Sequence, residues 1–286
     1  MGQAVKLGFC LLLWDTFITD DHWPIVEKLK ATGYDGVEVP LFTGEVADYE
    51  KLGKRLAAAG LEANTIGVLP RGSAISPDKS ERDAALDSLK WFIDCTAALG
   101  AKVAAGPLYH PLGTFSGSGP SADEVARCAD VHKAAAQYAA RQGVAISVEP
   151  LNRFECYFLN TTAQAVELVK KVDEPNYGYL YDTFHFNIEE DSYVDVIPAT
   201  IRQINHVQIS ENNRGVPGAG HIDFPAVFGA LKKAGYNGWM TIESFGAAMP
   251  DLMAATKIWR PIFARAEDVY ERGYRTMRDG WDKANS

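Results

Sequence analysis

The 286-residue chain lacks the features that mark several large classes of protein. Its four cysteines are far apart and form no CxxC pair, which argues against both a zinc knuckle and a disulfide framework. Its formal charge of -9 comes with no basic cluster, so nucleic acid and anionic membrane surfaces are poor candidates for a partner. No glycine-rich phosphate loop of the nucleotide-binding kinds occurs. What remains is a protein of ordinary globular composition.

The sequence also has no segment that reads as a membrane span or a targeting signal. The apolar run at 9–14 is too short to cross a bilayer, only Lys6 precedes it as a positive charge, and no small-residue cleavage site follows it. We therefore expect this run to form the first buried strand, and we expect a cytoplasmic protein.

Short apolar segments alternate with longer helical patterns along the whole chain. The segments are rich in Val, Ile and Leu, which is typical of parallel strands that are buried on both faces. The predicted strands are 6–12, 36–40, 62–68, 102–107, 144–151, 178–183, 204–211 and 238–245, and predicted helices between them include 49–59, 81–99, 122–141, 162–172, 225–234 and 252–265.

Glycines mark the ends of the predicted helices, just before the next strand. They are Gly33, Gly60, Gly100, Gly143 and Gly235, and glycine accepts the left-handed conformation that closes a helix. The sequence LKATGYDG at 29–36 returns as LKKAGYNG at 231–238, a weak internal repeat. Eight such units predict a (β/α)₈ TIM barrel formed by a single domain over residues 1–286. An open doubly wound sheet is the alternative, but it would favour an early phosphate loop.

Four of the later strands each end in an oxygen-bearing side chain: Glu149, Asp182, Gln208 and Glu243. Because strand side chains alternate between faces, these four would point into the barrel while their apolar neighbours pack outward. Parallel barrel strands share one carboxyl end, so the four groups should converge there. Carboxylate and amide oxygens suit Mg²⁺ or Mn²⁺, and we predict that these four residues bind such an ion.

Each of these residues has an ordinary alternative role when it is considered alone. A strand-end glutamate is more often a salt-bridge partner, and Asp182 could cap a helix that starts at Thr183. A buried carboxylate is costly unless something pairs with it, and three carboxylates and an amide on four separate strands are most simply explained by one shared cation.

Four stretches of the chain resemble one enzyme family. They are EPLNRFE at 149–155, YDTFHFNIEE at 181–190, HVQISENNR at 206–214 and TIESF at 241–245. These stretches resemble the D-tagatose 3-epimerase family, a ketose 3-epimerase group within the xylose isomerase-like TIM barrels. The resemblance covers nearly the whole chain.

The resemblance implies a role for each matching residue. Glu149 and Glu243 would bind the metal and act as the acid–base pair, and Asp182 would be a ligand only. Glu155, His185 and Arg214 would hold the carbonyl end of the substrate. The fourth family ligand is a histidine, and this chain departs from the pattern by having Gln208 there, whose amide oxygen can also bind a cation.

We therefore predict a metal-dependent ketose 3-epimerase that acts on a free keto-sugar through an enediolate, with Mn²⁺ or Mg²⁺. The alternatives are a lyase (a dehydratase or decarboxylase of a keto-sugar acid or cyclic polyol ketone), which Gln208 also fits, and an aldose–ketose isomerase. Trp14 and Tyr109 are further candidates for substrate contact, although core packing explains Trp14 equally well. Similar proteins are typically homodimers or homotetramers, and we expect the same here.

Overall fold

Eight parallel strands close into a barrel in the computed structural model, which describes residues 5–247 and 249–284. The strands follow one another around the barrel in chain order, and β1 pairs with β8 to close it. This architecture confirms the predicted (β/α)₈ barrel. The strands are β1 (Lys6–Cys10), β2 (Gly36–Pro40), β3 (Glu62–Ile66), β4 (Val103–Gly106), β5 (Ala145–Val148), β6 (Tyr177–Asp182), β7 (Ile204–Ile209) and β8 (Trp239–Ile242).

The described helices lie between the strands in the chain or follow β8. They are α1 (Trp23–Thr32), α2 (Val46–Ala58), α3 (Lys79–Ala98), α4 (Ala122–Ala140), α5 (Thr162–Val172), α6 (Thr183–Glu189), α7 (Val196–Thr200), α8 (Phe224–Lys233), α9 (Pro250–Thr256) and α10 (Ala266–Lys283). Because helices cover the outer face and side chains fill the lumen, all residues of β2 and β6 are buried. Within residues 5–247 and 249–284, no helix has both the length and the hydropathy needed to cross a membrane.

The glycines predicted to end helices do so in the structure. Gly33, Gly60, Gly100, Gly143 and Gly235 all have positive φ, between 67° and 114°. Gly106 has a different role at the end of β4. It also has positive φ, and a Cβ there would lie 2.0 Å from the backbone oxygen of Gly67, so only glycine fits this close approach below the barrel mouth.

The prediction of one continuous helix over 252–265 is wrong. Helix α9 ends at Thr256 because Lys257 adopts the left-handed conformation, and its N–H bonds to the carbonyl of Met253. Pro261 then disfavours helical geometry at the preceding residue. The next helix, α10, starts only at Ala266.

Candidate active site

The carboxyl ends of the strands surround a cleft of about 310 Å³. Its two walls differ in chemistry. The wall that follows β1–β4 is lined by apolar residues and one glycine, namely Leu12, Phe42, Ile66, Gly67, Val68, Leu69, Pro107, Pro111 and Leu112. The wall that follows β5–β8 carries all the ionisable side chains among the described lining residues: Glu149, Glu155, His185, Arg214 and Glu243. The same wall also contains apolar residues, namely Leu151, Phe245, Leu252 and Ala255.

The predicted metal ligands sit where four neighbouring strands end. Asp182 is the last residue of β6 and Gln208 is the penultimate residue of β7, while Glu149 and Glu243 come directly after β5 and β8. All four are buried. Inward alternation on these parallel strands therefore brings together side chains that are almost 100 residues apart in the sequence.

Arg214 is the centre of this cluster. Its Nη1 donates to Asp182 Oδ2 at 2.8 Å and to Glu243 Oε2 at 2.7 Å, and its Nη2 lies 2.8 Å from His185 Nε2. The guanidinium also lies over the Phe184 ring, at 4.1 Å from the ring centroid. Burial alone would lower the pKa of Arg214, but Asp182 and Glu243 outweigh it and raise the pKa, so this side chain stays cationic.

Asp182 has two functions in the structure, one for each carboxylate oxygen. Oδ1 accepts the backbone N–H of Phe184 at 2.7 Å and so caps α6. Oδ2 faces the cluster, where Arg214 and the hydroxyl of Ser210 donate to it. The helix-capping alternative for Asp182 is therefore compatible with a position in the site.

Asn152, in the loop after β5, contacts both His185 on α6 and Glu155 in its own loop. The backbone N–H of Asn152 donates to His185 Nδ1 at 2.9 Å, and its side-chain amide donates to Glu155 Oε1 at 2.8 Å. The other ring nitrogen of His185 lies 3.4 Å from Glu149 Oε1. Burial, reinforced by Arg214, lowers the pKa of His185 well below its usual value, so the imidazole is neutral.

The two glutamates at the ends of β5 and β8 are held in an environment that favours protonation. Burial, with Glu243 and Asp182 as further causes, raises the pKa of Glu149 well above its usual value. Burial likewise raises the pKa of Glu243 to about 8, although Arg214 opposes the shift. Burial also raises the pKa of Glu155. Carboxyl groups whose pKa values are raised toward neutrality suit proton transfer at physiological pH.

A second polar layer lies beneath this cluster. Glu38, on β2, contacts His206 Nε2 through Oε1 at 2.6 Å and accepts from Gln208 Nε2 through Oε2 at 2.8 Å. Gln208 Nε2 also lies 3.4 Å from Glu243 Oε1. Burial, helped by Glu38 and Glu243, raises the pKa of the neighbouring Cys10 thiol well above its usual value, so it is neutral. These contacts join the second polar layer to the cluster at the strand ends.

The structure places Trp14 and Tyr109 outside the described cleft lining. The indole of Trp14 packs against Phe9 and Tyr270, because the chain enters a 3₁₀ turn at Leu11–Leu13 and leaves the strand alternation. Tyr109 is fully buried, and its hydroxyl donates to the backbone oxygen of Glu149 at 2.9 Å. These positions favour core packing for Trp14 and support of the Glu149 backbone for Tyr109, not contact with a substrate.

Sequence reasoning missed Asn152 and the apolar wall. Asn152 stands in the stretch 149–155 between two glutamates and is 2% exposed. A buried polar residue in a loop must find partners, but the sequence does not say which. The apolar wall has no sequence signal, because its residues come from four separate loops and are of types that also fill the core.

The donor set of the cluster fits a divalent cation. Glu149, Asp182 and Glu243 supply carboxylate oxygens, and Gln208 Oε1 is buried without a hydrogen-bond partner among the described residues. Glu38, Glu149, Asp182 and Glu243 outnumber the one permanently cationic side chain of the cluster, Arg214. Hard oxygen donors are the ligands that Mg²⁺ and Mn²⁺ prefer.

Fold and site together define a (β/α)₈ barrel with an oxygen-rich cluster at the carboxyl ends of β5–β8. The model of the family described as "Xylose isomerase-like TIM barrel" matches residues 26–280. A probable ketose 3-epimerase of Synechocystis sp. is 30% identical over 97% of each chain, and the ketose 3-epimerase of Arthrobacter globiformis is 32% identical over 96% of each. The chain therefore belongs to the xylose isomerase-like TIM barrel family and, within it, to the ketose 3-epimerase group.

Solved structures give the same relationship. An L-ribulose 3-epimerase superposes with a TM-score of 0.91 at 29% identity, covering 97% of this chain and 95% of the other. A D-allulose 3-epimerase from Methylomonas sp., in complex with D-allulose, superposes with a TM-score of 0.88 at 27% identity, covering 98% and 99%. Both are sugar isomerases, the enzyme class that the sequence predicts.

Proposed function

We propose that this protein is a divalent-cation-dependent ketose 3-epimerase that acts on a free keto-sugar. The main observation in support is the pair Glu149 and Glu243. These glutamates follow β5 and β8, which two other strands separate, so they approach the cleft from different directions. Both glutamates have a raised pKa, and a carboxyl group with a raised pKa is suited to proton transfer near neutral pH.

The proposed reaction inverts carbon 3 of the sugar. One glutamate removes the proton from carbon 3, next to the keto group, and the electron pair moves onto the carbonyl oxygen to give an enediolate. The other glutamate then returns a proton to the opposite face of carbon 3, and the carbonyl forms again. No atom is gained or lost, and the product is the epimer.

The remaining residues of the cluster have roles that follow from their contacts. Arg214 stays cationic and donates hydrogen bonds where negative charge develops, with neutral His185 beside it. A divalent cation held by Glu149, Asp182, Gln208 and Glu243 would, when bound, supply the charge that makes the carbon-bound proton acidic. The apolar wall excludes water from this polar cluster, which strengthens its electrostatic interactions.

An unphosphorylated substrate is favoured by the charge of the cleft. Among the described lining residues, Arg214 alone carries a permanent positive charge, and it is already paired with Asp182 and Glu243. A phosphate group would have to compete with both carboxylates for this one cation. We expect free ketoses to be turned over with at least about tenfold higher kcat/KM than their phosphates, a difference of about 1.4 kcal/mol.

Incubation with ketoses and Mn²⁺ in D₂O tests the proposal. Epimerisation leaves the molecular formula unchanged but exchanges one carbon-bound hydrogen for deuterium, and NMR identifies the site as carbon 3. EDTA should abolish the exchange, and Mn²⁺ or Mg²⁺ should restore it. Loss of water or carbon dioxide from a keto-sugar acid or a cyclic polyol ketone would instead identify a lyase, and exchange at carbon 1 an aldose–ketose isomerase.

A further inference from the structure

Glu38 is a buried carboxylate that the proposed reaction does not use. It is fully buried on β2, across the lumen from β7, and it does not line the cleft. Both of its oxygens are engaged: Oε1 with His206 Nε2 at 2.6 Å and Oε2 with Gln208 Nε2 at 2.8 Å. A carboxylate with both oxygens occupied inside the barrel is suited to hold other side chains in place.

The contact with Gln208 decides which way its amide is turned. A glutamine amide has a donor end and an acceptor end of nearly the same shape, so only its neighbours distinguish the two orientations. In the structure Nε2 faces Glu38 Oε2 and, at 3.4 Å, Glu243 Oε1. The reversed amide would place its carbonyl oxygen against Glu38 Oε2, an arrangement with no hydrogen bond and with electrostatic repulsion.

The oxygen of the same amide is left without a partner among the described residues, although the side chain is fully buried. A buried polar atom with no partner is unfavourable, and it is rare unless the site has a use for it. Of the two acceptors near Nε2, Glu38 is closer, and Glu243 already shares its other oxygen with Arg214. Glu38 is therefore the residue that sets the orientation.

We infer that Glu38 is a positioning residue that holds the Gln208 amide with its oxygen free to bind the divalent cation. The inference rests on the proposed function, because it assigns a task toward the ion which that function requires. An amide needs such a partner because its nitrogen end repels a cation. Loss of a hydrogen-bond partner behind a metal ligand lowers metal affinity by about 10- to 100-fold.

A double-mutant cycle with Mn²⁺ as the probe tests this inference. Calorimetric titration would compare the wild-type protein with Glu38→Gln, Gln208→Ala and the double variant. Glu38→Gln keeps the size of the side chain but can accept from only one of its two neighbours, and its own amide can donate to Gln208 Oε1. We expect Glu38→Gln to bind Mn²⁺ about 10- to 100-fold more weakly than wild type. We expect no further loss of Mn²⁺ affinity when Glu38→Gln is added to Gln208→Ala.

The outcomes separate the inference from the function on which it rests. If Glu38 acted through its charge alone, Glu38→Gln would weaken Mn²⁺ binding by the same factor in both backgrounds, and the inference would be overturned. Unchanged affinity in Glu38→Gln would overturn it as well, while leaving the proposed function intact. Failure of the wild-type protein to bind Mn²⁺ would overturn both.

NMR of the wild-type protein provides a test that does not depend on the folding of a variant. In protein labelled with ¹³C,¹⁵N-glutamine, the Gln208 side-chain signals are identified by their absence in Gln208→Ala. We expect Mg²⁺ to shift the Gln208 side-chain carbonyl carbon while the amide protons stay protected from exchange. A carbonyl signal that does not respond to saturating Mg²⁺ would overturn the inference.

Discussion

The two walls of the cleft are built from the same kind of strand, yet only one of them carries ionisable side chains. The carboxyl ends of β1–β4 and the loops after them supply apolar side chains and a glycine. The segments after β5–β8 supply apolar side chains as well, but they add two acid–base candidates, a guanidinium, an imidazole and a third carboxylate. Because the fold treats the eight strands alike, this difference reflects a division of tasks. One wall provides charge and proton transfer, and the other provides shape and excludes water.

The separation has a physical advantage. Burial, with neighbouring carboxylates as further causes, raises the pKa values of Glu149 and Glu243 on the polar wall. An apolar wall opposite keeps the local dielectric low, so the interactions across the site are stronger than they would be in water. The division predicts that changes on the polar wall affect turnover, while changes on the apolar wall affect substrate affinity.

The largest effect should come from removing either acid–base candidate. We expect Glu149→Gln and Glu243→Gln each to lower kcat by about 1,000-fold or more, because an amide cannot exchange a proton with carbon 3. The measurement is turnover of a ketose with Mn²⁺, followed by NMR. The isosteric change should leave the circular dichroism spectrum unaltered. Substantial turnover in either variant would remove that glutamate from the proposed mechanism.

A smaller but still large effect should follow from replacing Arg214. Lysine retains the positive charge but loses the planar fork that reaches Asp182, Glu243 and His185 together. We expect Arg214→Lys to lower kcat/KM by about 100-fold, the usual consequence of losing a donor at developing negative charge. Arg153→Lys is a matched control, since Arg153 is exposed and pairs with Glu189 outside the described lining. Equal losses in the two variants would argue against a specific role for Arg214.

The apolar wall should respond differently. We expect Phe42→Ala to raise KM by about 10-fold, equivalent to about 1.4 kcal/mol of lost apolar contact, while kcat changes by less than about threefold. Phe115→Ala is the control, because Phe115 is half-exposed and lies outside the described cleft lining. Steady-state kinetics with one ketose gives both constants. A fall in kcat that matched those on the polar wall would break the division between the walls.

The polar cluster at the ends of β5–β8 could be predicted from the sequence far better than the apolar wall. Glu149, Asp182, Gln208 and Glu243 are readable because alternation in strands and the shared carboxyl end of a parallel barrel fix where such side chains point. The apolar lining could not be predicted, since the same residue types fill the core and only tertiary proximity distinguishes the two. The link between Glu38 and Gln208 also depends on contact across the lumen. Lys257, which ends α9 in the left-handed conformation, has no clear local signal for that turn.

The smallest effect on activity should come from His132, a buried histidine that belongs to neither wall. Its Nε2 lies 3.0 Å from the carbonyl of Leu108 and its Nδ1 lies 2.6 Å from the hydroxyl of Tyr177. Both contacts are satisfied when the ring is neutral, with Nε2 donating and Nδ1 accepting.

Burial lowers the pKa of His132 from 6.5 to about 4, so the unfolded chain binds a proton more readily than the folded protein does. The contribution of the neutral His132 ring to the free energy of unfolding is therefore complete above pH 6.5. It is lost as the pH falls toward 4, by about 3 kcal/mol in total.

Urea unfolding at pH 7.5 and pH 5 would compare wild type with His132→Gln, which has no titrating group at position 132. We expect the variant to lose less stability on acidification and to keep wild-type kcat at pH 7.5. Because the groups of the cleft are common to both proteins, their titration cancels in the comparison. Equal acid sensitivity of the two would show that His132 is not buried as a neutral ring, and a fall in kcat would show that turnover depends on residues outside both walls.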